Sequence, residues 1–152
     1  MFFSYFKILI KYIDLRQINR FKLFIEKFIN TLQLTMCMDI SEIINKEDLL
    51  RINNGFGGNL RSDSSIDFAF DRIKDSKLGD YKKLAYLMRA ILVDHPFSDG
   101  NKRTATFICL AFADNYHKQV DRELLIHHIV SIAKKNIQEI RSIEWRLKNA
   151  II

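Results

Sequence analysis

The sequence predicts a mainly α-helical fold of about six to eight helices with one glycine-rich excursion. Its 152 residues include one proline and five glycines, and three of those glycines fall within residues 55–58. Such a composition leaves little room for the tight turns that a sheet-rich protein needs. Apolar residues recur at helical spacing along most of the chain, and the length favours one domain that can bury a hydrophobic core.

The N-terminal stretch "MFFSYFKILIKYI" is strongly apolar, but Lys7 and Lys11 interrupt it. It falls short of the ~20 apolar residues that a membrane span requires. Its large apolar residues, like those that follow to residue 32, are spaced as on one face of a helix. We therefore expect an N-terminal helical extension over residues 1–40, made of one or two amphipathic helices packed on the core. A helix that docks on a partner or on a membrane surface is the alternative.

The next segments predict two shorter helices around the glycines. "MDISEIINKEDLLRINN" offers Asp39 or Ser41 as the N-cap of a short helix. The glycines of residues 55–58 predict an irregular loop or tight turn, because each would cost a helix about 1 kcal/mol. From Ser65 or Asp67 onward, "IDFAFDRIK" is helical in pattern.

"DYKKLAYLMRAILVDH" has the clearest helical periodicity in the chain, with Asp80 as its candidate N-cap. Pro96 removes a backbone donor and biases the preceding residue out of the helical region. This helix should therefore end at about Asp94 or His95.

A second long helix, "KRTATFICLAFADNY", follows directly, with Ser98 or Asp99 as its cap. Asp121 is expected to cap the helix "RELLIHHIVSIAKKN", and "IQEIRSIEWRLKNAI" closes the chain. His127 and His128 are adjacent on a helix and cannot face one metal together, so we interpret them as structural.

The residues "GNKR" at the start of the second long helix predict an anion site. Gly100 permits a close backbone approach or an unusual φ. The amides from Gly100 to Arg103 are the unpaired donors of a helix N-terminus, where anions are favoured and cations are not. Lys102 and Arg103 therefore oppose the helix dipole unless an anion such as phosphate is bound.

Neighbouring side chains supply the other parts of a phosphate-transfer site. Asp99 offers a hard oxygen ligand that suits Mg²⁺ beside a phosphate group. His95, with an ordinary pKa of roughly 6.5, is a candidate general base for an attacking hydroxyl. Phe97 is apolar between polar neighbours and is expected to turn inward. Taken singly, each residue has a structural alternative. Asp99 could be only a helix N-cap, and His95 could be a cation at the C-terminal end of the preceding helix. Lys102 and Arg103 could be a solvated basic face.

Other site classes match the sequence poorly. Gly100-Asn101-Lys102 breaks the spacing of a P-loop, and "GFGGNL" lacks the third glycine of a dinucleotide fingerprint. An EF-hand loop with Gly100 at its sixth position would need aspartate where His95 stands.

Charge and cysteine content add weaker constraints. The net charge of +6 and the pI near 9.4 are compatible with an acidic partner. The motif's basic residues stand at a helix start, not along a groove with stacking aromatics, so nucleic acid is disfavoured. Cys37 and Cys109 lie far apart without a CxxC motif, which indicates reduced thiols in a cytoplasmic protein.

"HPFSDGNKRTA", residues 95–105, resembles the signature H-x-F-x-D/E-G-N-x-R of the Fic/Doc (Fido) superfamily, and every fixed position is met. "GGNLRSDSSIDFAFDRI" resembles the flap segment of that family, and "AFADNYHKQVDRELLIHHIVSIAKKN" resembles the helices after the motif. The resemblance runs from roughly residue 45 to residue 148. It implies a Fido-type helical bundle with a small glycine-rich flap or hairpin, which we place at residues 41–152.

The resemblance also implies an activity and a role for each motif residue. Family members move AMP or a phosphoryl group from a nucleotide triphosphate, such as ATP, to a protein hydroxyl. By this resemblance His95 is the base, Asp99 holds Mg²⁺, and Pro96 and Phe97 are structural. The phosphate-binding residues are Gly100, Asn101, Lys102 and Arg103. The flap that holds the target by strand-like pairing comprises Gly57, Gly58, Asn59, Leu60 and Arg61.

Two departures bear on which group is transferred. AMP-transferring members usually read G-N-G-R with a second arginine three residues later, where this chain has Lys102 and Thr106. "GNKRTA" is more similar to the death-on-curing (Doc) toxin branch, whose members phosphorylate an elongation factor. The sequence thus favours a Doc-like protein kinase acting as a toxin of a toxin–antitoxin pair. Protein AMPylation is the alternative, and a non-catalytic binding module is the third.

The regulator and the partners follow from the same resemblance. The family's inhibitory pattern S/T-x-x-x-E-G/N does not occur in the chain. We therefore expect a separate antitoxin-like protein as the restraint, with the N-terminal helices covering the site as the alternative. The expected substrate is a protein, and a translation factor is the candidate that the resemblance suggests.

Overall fold

The computed structural model describes residues 39–152, so the helices expected within residues 1–38 lie outside the described residues. The described part folds into seven α-helices and contains no strand longer than an isolated bridge. In chain order these are α1 Ile40–Ile43, α2 Lys46–Gly55, α3 Ser64–Ile73, α4 Asp80–Leu92, α5 Asn101–Asn115, α6 Arg122–Lys135 and α7 Ile140–Ala150. The prediction of a mainly helical bundle is confirmed.

Helix α4 is the central element, because α3, α5 and α7 all pack against it. Eight of its 13 residues are buried, among them Leu84, Leu87, Met88 and Ile91, which show the predicted helical spacing. Burying each such side chain stabilises the fold by roughly 1.5–3 kcal/mol. The buried face of α4 therefore supports its own C-terminal end and the helix α5 that packs on it.

Several helix ends differ from the predictions by a few residues. Asp39 does cap a helix, accepting a hydrogen bond from the Ser41 amide at 2.9 Å, and Asp121 likewise accepts from the Leu124 amide at 3.0 Å. The single helix expected after Asp39 is two helices, because the chain is extended at Ile44 and Asn45 caps α2.

The remaining corrections concern three glycines and the C-terminal end of α4. Gly79, and not Asp80, is the N-cap of α4, and Gly55 is the last residue of α2 instead of a loop residue. Helix α4 ends at Leu92, earlier than the predicted Asp94 or His95. Neither Ser98 nor Asp99 caps α5: its N-cap is Gly100, in the left-handed conformation (φ 76°) that glycine adopts without penalty.

The glycine-rich excursion, residues 56–63, forms a flap and not a hairpin. Its one bridge pairs Leu60 with Phe97, antiparallel, so the flap lies against the α4–α5 loop instead of folding back on itself. Within residues 39–152, no helix is both long enough and apolar enough to cross a membrane.

Candidate active site

The loop between α4 and α5 alternates buried and exposed side chains. Pro96 and Phe97 are buried, and Phe97 turns inward as predicted. His95, Ser98 and Asp99 face solvent. The apolar pair therefore anchors the loop on the core, and the polar residues stay accessible.

The backbone of the flap holds this loop in place. The Arg61 amide donates to the Pro96 carbonyl at 2.7 Å, and the Ser98 amide donates to the Asn59 carbonyl at 2.9 Å. The Asn59 amide also donates to Ser98 Oγ at 2.9 Å. In this pairing the amide and carbonyl of Leu60 point away from the loop, because successive residues of an extended segment alternate in direction. The predicted flap and the predicted catalytic loop thus form one unit.

His95 stands in an uncommon backbone conformation at the edge of this unit. Its φ is 48°, and its imidazole makes no hydrogen bond with other residues in the described range. A left-handed backbone at a residue other than glycine costs on the order of 1–3 kcal/mol and is common at functional sites. The imidazole is exposed to solvent and accessible.

The N-terminus of α5 presents unpaired donors, as the sequence predicts. The first amide bonded within the helix is that of Thr104, which donates to the Gly100 carbonyl at 2.8 Å. The amides of Asn101, Lys102 and Arg103 make no hydrogen bond within residues 39–152. Three donors and the positive end of the helix dipole therefore face the same space.

The side chain of Asn101 bonds to the backbone of its own loop. Its Nδ2 donates to the Phe97 carbonyl at 3.0 Å, and its Oδ1 accepts from the Phe97 amide at 3.4 Å. The Asn101 side chain therefore closes the loop, which leaves its backbone amide for an anion.

Asp99 and Arg103 form an ion pair at the mouth of the site. Arg103 Nη2 lies 3.0 Å from Asp99 Oδ2, and its guanidinium lies over the Phe56 ring at 5.7 Å. The Gly100 amide donates to Asp99 Oδ1 at 2.6 Å. This amide hydrogen bond first, and the Arg103 charge next, lower the pKa of Asp99, so the carboxyl is ionised at neutral pH.

Asp99 fits the chemistry of a magnesium ligand. Its side chain is 70% exposed and ionised, and it offers a hard oxygen. Residues 39–152 hold no cluster of three or more acidic, histidine or cysteine side chains that would form an all-protein metal cage. Mg²⁺ is commonly held by one or two carboxylates together with phosphate oxygens and water.

Sequence reasoning missed Asn53, which lies directly beneath the loop. Asn53 is 1% exposed, and its Nδ2 donates to the Asp99 carbonyl at 2.9 Å and to Thr104 Oγ1 at 3.0 Å. The signal that could have revealed it is its position, because Leu49, Ile52 and Asn53 follow the i, i+3, i+4 pattern of a buried face. A polar residue on such a face needs internal partners.

Comparison with known protein families identifies a match over most of the chain's first three quarters. A family model described as the Fic/DOC family, whose members are generally transferases acting with nucleotides, matches residues 24–113. The match begins before residue 45 and ends before residue 148, the bounds expected from the resemblance. No curated protein and no solved structure matches the chain. Because the match spans more than half of the 152 residues and includes the whole loop from His95 to Arg103, the chain belongs to the Fic/DOC family.

Proposed function

We propose that this protein is a Doc-like kinase that transfers a phosphoryl group from a nucleotide triphosphate to a hydroxyl of a target protein. The observation that carries the proposal is the start of α5. Three unpaired amides and two cationic side chains there adjoin a loop that carries the exposed His95. Positioning and charge neutralisation are what phosphoryl transfer chiefly requires of a protein.

In the proposed mechanism the phosphates of the nucleotide bind at the α5 N-terminus. The amides of residues 101–103 donate to phosphate oxygens, and Lys102 and Arg103 neutralise their charge. Asp99 would hold Mg²⁺, which supplies further neutralisation of the phosphates when it is bound. Because Asp99 and Arg103 pair with each other at 3.0 Å, nucleotide binding has to exchange this ion pair for contacts to the ligand.

His95 accepts the proton of the target hydroxyl as its oxygen attacks the terminal phosphorus. The new bond joins the target oxygen to that phosphorus, and the bond to the bridging oxygen of the nucleotide breaks. The nucleoside diphosphate leaves with the bonding electron pair. This proton transfer contributes typically 10²–10⁴-fold to the rate in enzymes that use a positioned base.

The flap supplies the proposed seat for the target. Leu60 is 41% exposed, and its amide and carbonyl point away from the loop. An extended segment of the target protein can therefore pair with residues 57–61 as an added strand. Such pairing positions the target hydroxyl through the backbone of the target segment, so it depends little on the side chains of that segment.

Two residues favour phosphoryl transfer over AMP transfer. Arg103 is the only arginine in the first two turns of α5, and at the position of the second arginine Thr106 donates to the Lys102 carbonyl at 2.9 Å. Lys102 stands exposed beside the anion-binding amides, where AMP-transferring relatives keep glycine. A bulky cation in this place alters how the nucleotide can lie.

The proposal includes the biological setting expected from the motif. We infer a cytoplasmic toxin that acts on a protein, with a translation factor as the candidate substrate. A separate antitoxin-like protein is its inferred restraint. The exposed His95 favours this enzyme over a binding module that keeps the fold without turnover, because such a module has no use for an accessible base.

The test follows the label of the nucleotide. The full chain is incubated with a cytosolic extract, Mg²⁺ and ATP labelled with ³²P at the α or, separately, at the γ position. Protein labelled only from γ-labelled ATP supports the kinase. Protein labelled only from α-labelled ATP assigns AMP transfer instead, and no labelled protein in either reaction contradicts the transferase.

A further inference from the structure

We propose that Asn53 is a positioning residue of this site: its side-chain amide fixes the peptide group between Asp99 and Gly100 and so aims the anion-binding amides at the start of α5. The inference rests on the proposed function for the identity of the anion as a phosphate. Asn53 lies 42 positions before His95 and outside the motif.

The burial of Asn53 shows that it is held by internal contacts. It lies on α2 at 1% exposure, beside the buried Leu49 and Ile52. Placing an amide side chain in such surroundings is unfavourable unless its donors are satisfied. The backbone of α2 does not need the Asn53 side chain as a hydrogen-bond partner, because the amides in the interior of the helix are already bonded within it.

Both hydrogens of the Asn53 amide are donated to the loop and the helix that form the site. One goes to the Asp99 carbonyl at 2.9 Å and the other to Thr104 Oγ1 at 3.0 Å. Asn53 is thus a single side chain that joins α2 to both sides of Gly100.

The peptide group between Asp99 and Gly100 is held from both of its polar ends. Its carbonyl accepts from Asn53, and its N–H donates to the Asp99 carboxylate at 2.6 Å. Because the peptide group is planar, rotating it would break both hydrogen bonds together. Gly100 follows with a φ of 76°, from which the chain enters α5. The orientation of this peptide group therefore sets where the amides of residues 101–103 point and where the Asp99 carboxylate lies.

Asn53 also contacts the flap. The backbone carbonyl oxygen of Asn53 accepts a hydrogen bond from the Gly58 amide at 3.2 Å. A Cβ atom at Gly58 would overlap both Asn53 Oδ1 and the Asp99 carbonyl oxygen, so the three groups are in close contact. Asn53 thereby contacts both the flap, which is the proposed target-binding surface, and the loop of the proposed phosphate site.

The experiment compares Asn53→Ala with Ile52→Val in the full chain. Ile52 is the neighbouring buried residue of α2, and its truncation by one methyl group lowers stability without removing a polar contact to the loop. Binding of Mg²⁺–tripolyphosphate and of Mg²⁺–ATP is measured by calorimetry, at a temperature where circular dichroism shows each variant folded. Exchange of the Gly100 amide is measured without ligand.

We expect Asn53→Ala to weaken the binding of both ligands by about tenfold, which corresponds to the net contribution of roughly one hydrogen bond. We expect the Gly100 amide to exchange faster in this variant, and both quantities to stay within about twofold of the native protein in Ile52→Val. If Asn53→Ala is unfolded, Asn53→Ser is measured in the same way, since its short hydroxyl cannot reach both acceptors.

Equal ligand binding and equal Gly100 exchange in folded Asn53→Ala and native protein would overturn the inference. An equal loss of binding in Ile52→Val would overturn it too, because the effect would then be one of stability alone. A native protein that binds tripolyphosphate, loses it on Asn53 substitution and labels no target would contradict the proposed transfer and leave the positioning role standing.

Discussion

His95 combines accessibility with a backbone conformation that the surrounding loop has to impose. Its φ of 48° is followed by the buried Pro96 and Phe97, which tie the loop to the core. The cost of this conformation, on the order of 1–3 kcal/mol, is offset by the burial of those two residues. The backbone of His95 is thus fixed by its neighbours, while its ring stays exposed.

His95→Asn tests the base without disturbing this backbone, because asparagine tolerates positive φ well. We expect transfer to fall by about 10²–10⁴-fold, the contribution of a positioned general base. The measurement is the initial rate of target labelling, together with the thermal unfolding midpoint.

His117→Asn is the matched control, since His117 is also exposed and has a φ of 51° but lies after α5. Both variants should unfold within a few degrees of the native protein, and His117→Asn should keep full activity. Native-like transfer by His95→Asn would exclude His95 as the base.

At the scale of elements, the site depends on the contact between the flap and the α4–α5 loop. Backbone hydrogen bonds of 2.7 Å and 2.9 Å join Arg61 to Pro96 and Ser98 to Asn59. Gly58 permits the approach, because its missing side chain leaves room for Asn53 and for the Asp99 carbonyl. The positive end of the α5 dipole is thereby presented next to the flap.

Gly58→Ala should separate these elements. Its Cβ atom would overlap two groups that have little freedom to move, and we expect a loss of about 2 kcal/mol in the free energy of unfolding. Transfer should fall as well, because the flap and the anion-binding amides no longer keep their relative positions. Urea unfolding and the labelling rate measure the two effects.

Gly79→Ala provides the comparison, since a Cβ atom there meets nothing within 4 Å and the residue caps α4 with an ordinary φ of −70°. This variant should change the free energy of unfolding by less than about 1 kcal/mol and leave transfer unchanged. A Gly58→Ala protein as stable and active as Gly79→Ala would refute the packing argument.

Across the bundle as a whole, a partly buried ion pair joins Asp39, which directly precedes α1, to the central helix α4. Lys83 Nζ lies 2.6 Å from Asp39 Oδ2, and the Lys83 side chain on α4 is only 5% exposed. Burial alone would raise the pKa of Asp39, but hydrogen bonds from Lys83 and Ser41 outweigh it, so the pKa is lowered. The pair fixes α1 to α4 and so closes the bundle at one end.

Asp39→Asn keeps the helix cap but leaves the Lys83 ammonium buried without its counterion. We expect the free energy of unfolding at pH 7 to fall by about 2 kcal/mol, between the values for exposed and fully buried pairs. The double variant Asp39→Asn with Lys83→Met should recover much of this loss, because no unpaired charge remains. Urea unfolding of the three proteins checks both statements.

The pH dependence has a definite sign. Since the pKa of Asp39 in the folded protein lies below its ordinary value of 3.8, its contribution is fully present above that value. It is lost as the pH falls through the folded pKa. The native protein should therefore lose stability more steeply below about pH 4 than Asp39→Asn does, and parallel curves would contradict the pairing.

The helical class was predictable from the residues alone, and so was the set of side chains that share the α4–α5 loop and the start of α5. A nearly proline-free chain with apolar residues at helical spacing has few alternatives to a helical bundle. The motif from His95 to Arg103 is contiguous, so its imidazole, carboxylate and cations are neighbours in any fold of the chain. The capping roles of Asp39 and Asp121 were also predictable, because they depend on bonds to residues two and three positions away.

The way in which the motif is held depends on contacts between distant parts of the chain. The contacts of Asn53 with Asp99 and of Arg61 with Pro96 join residues 46 and 35 positions apart, and no local pattern encodes such pairs. The same contacts explain why Gly100 took the capping place predicted for Ser98 or Asp99. The loop that is bonded to α2 and to the flap enters α5 through a left-handed residue, a conformation that glycine adopts at the lowest cost.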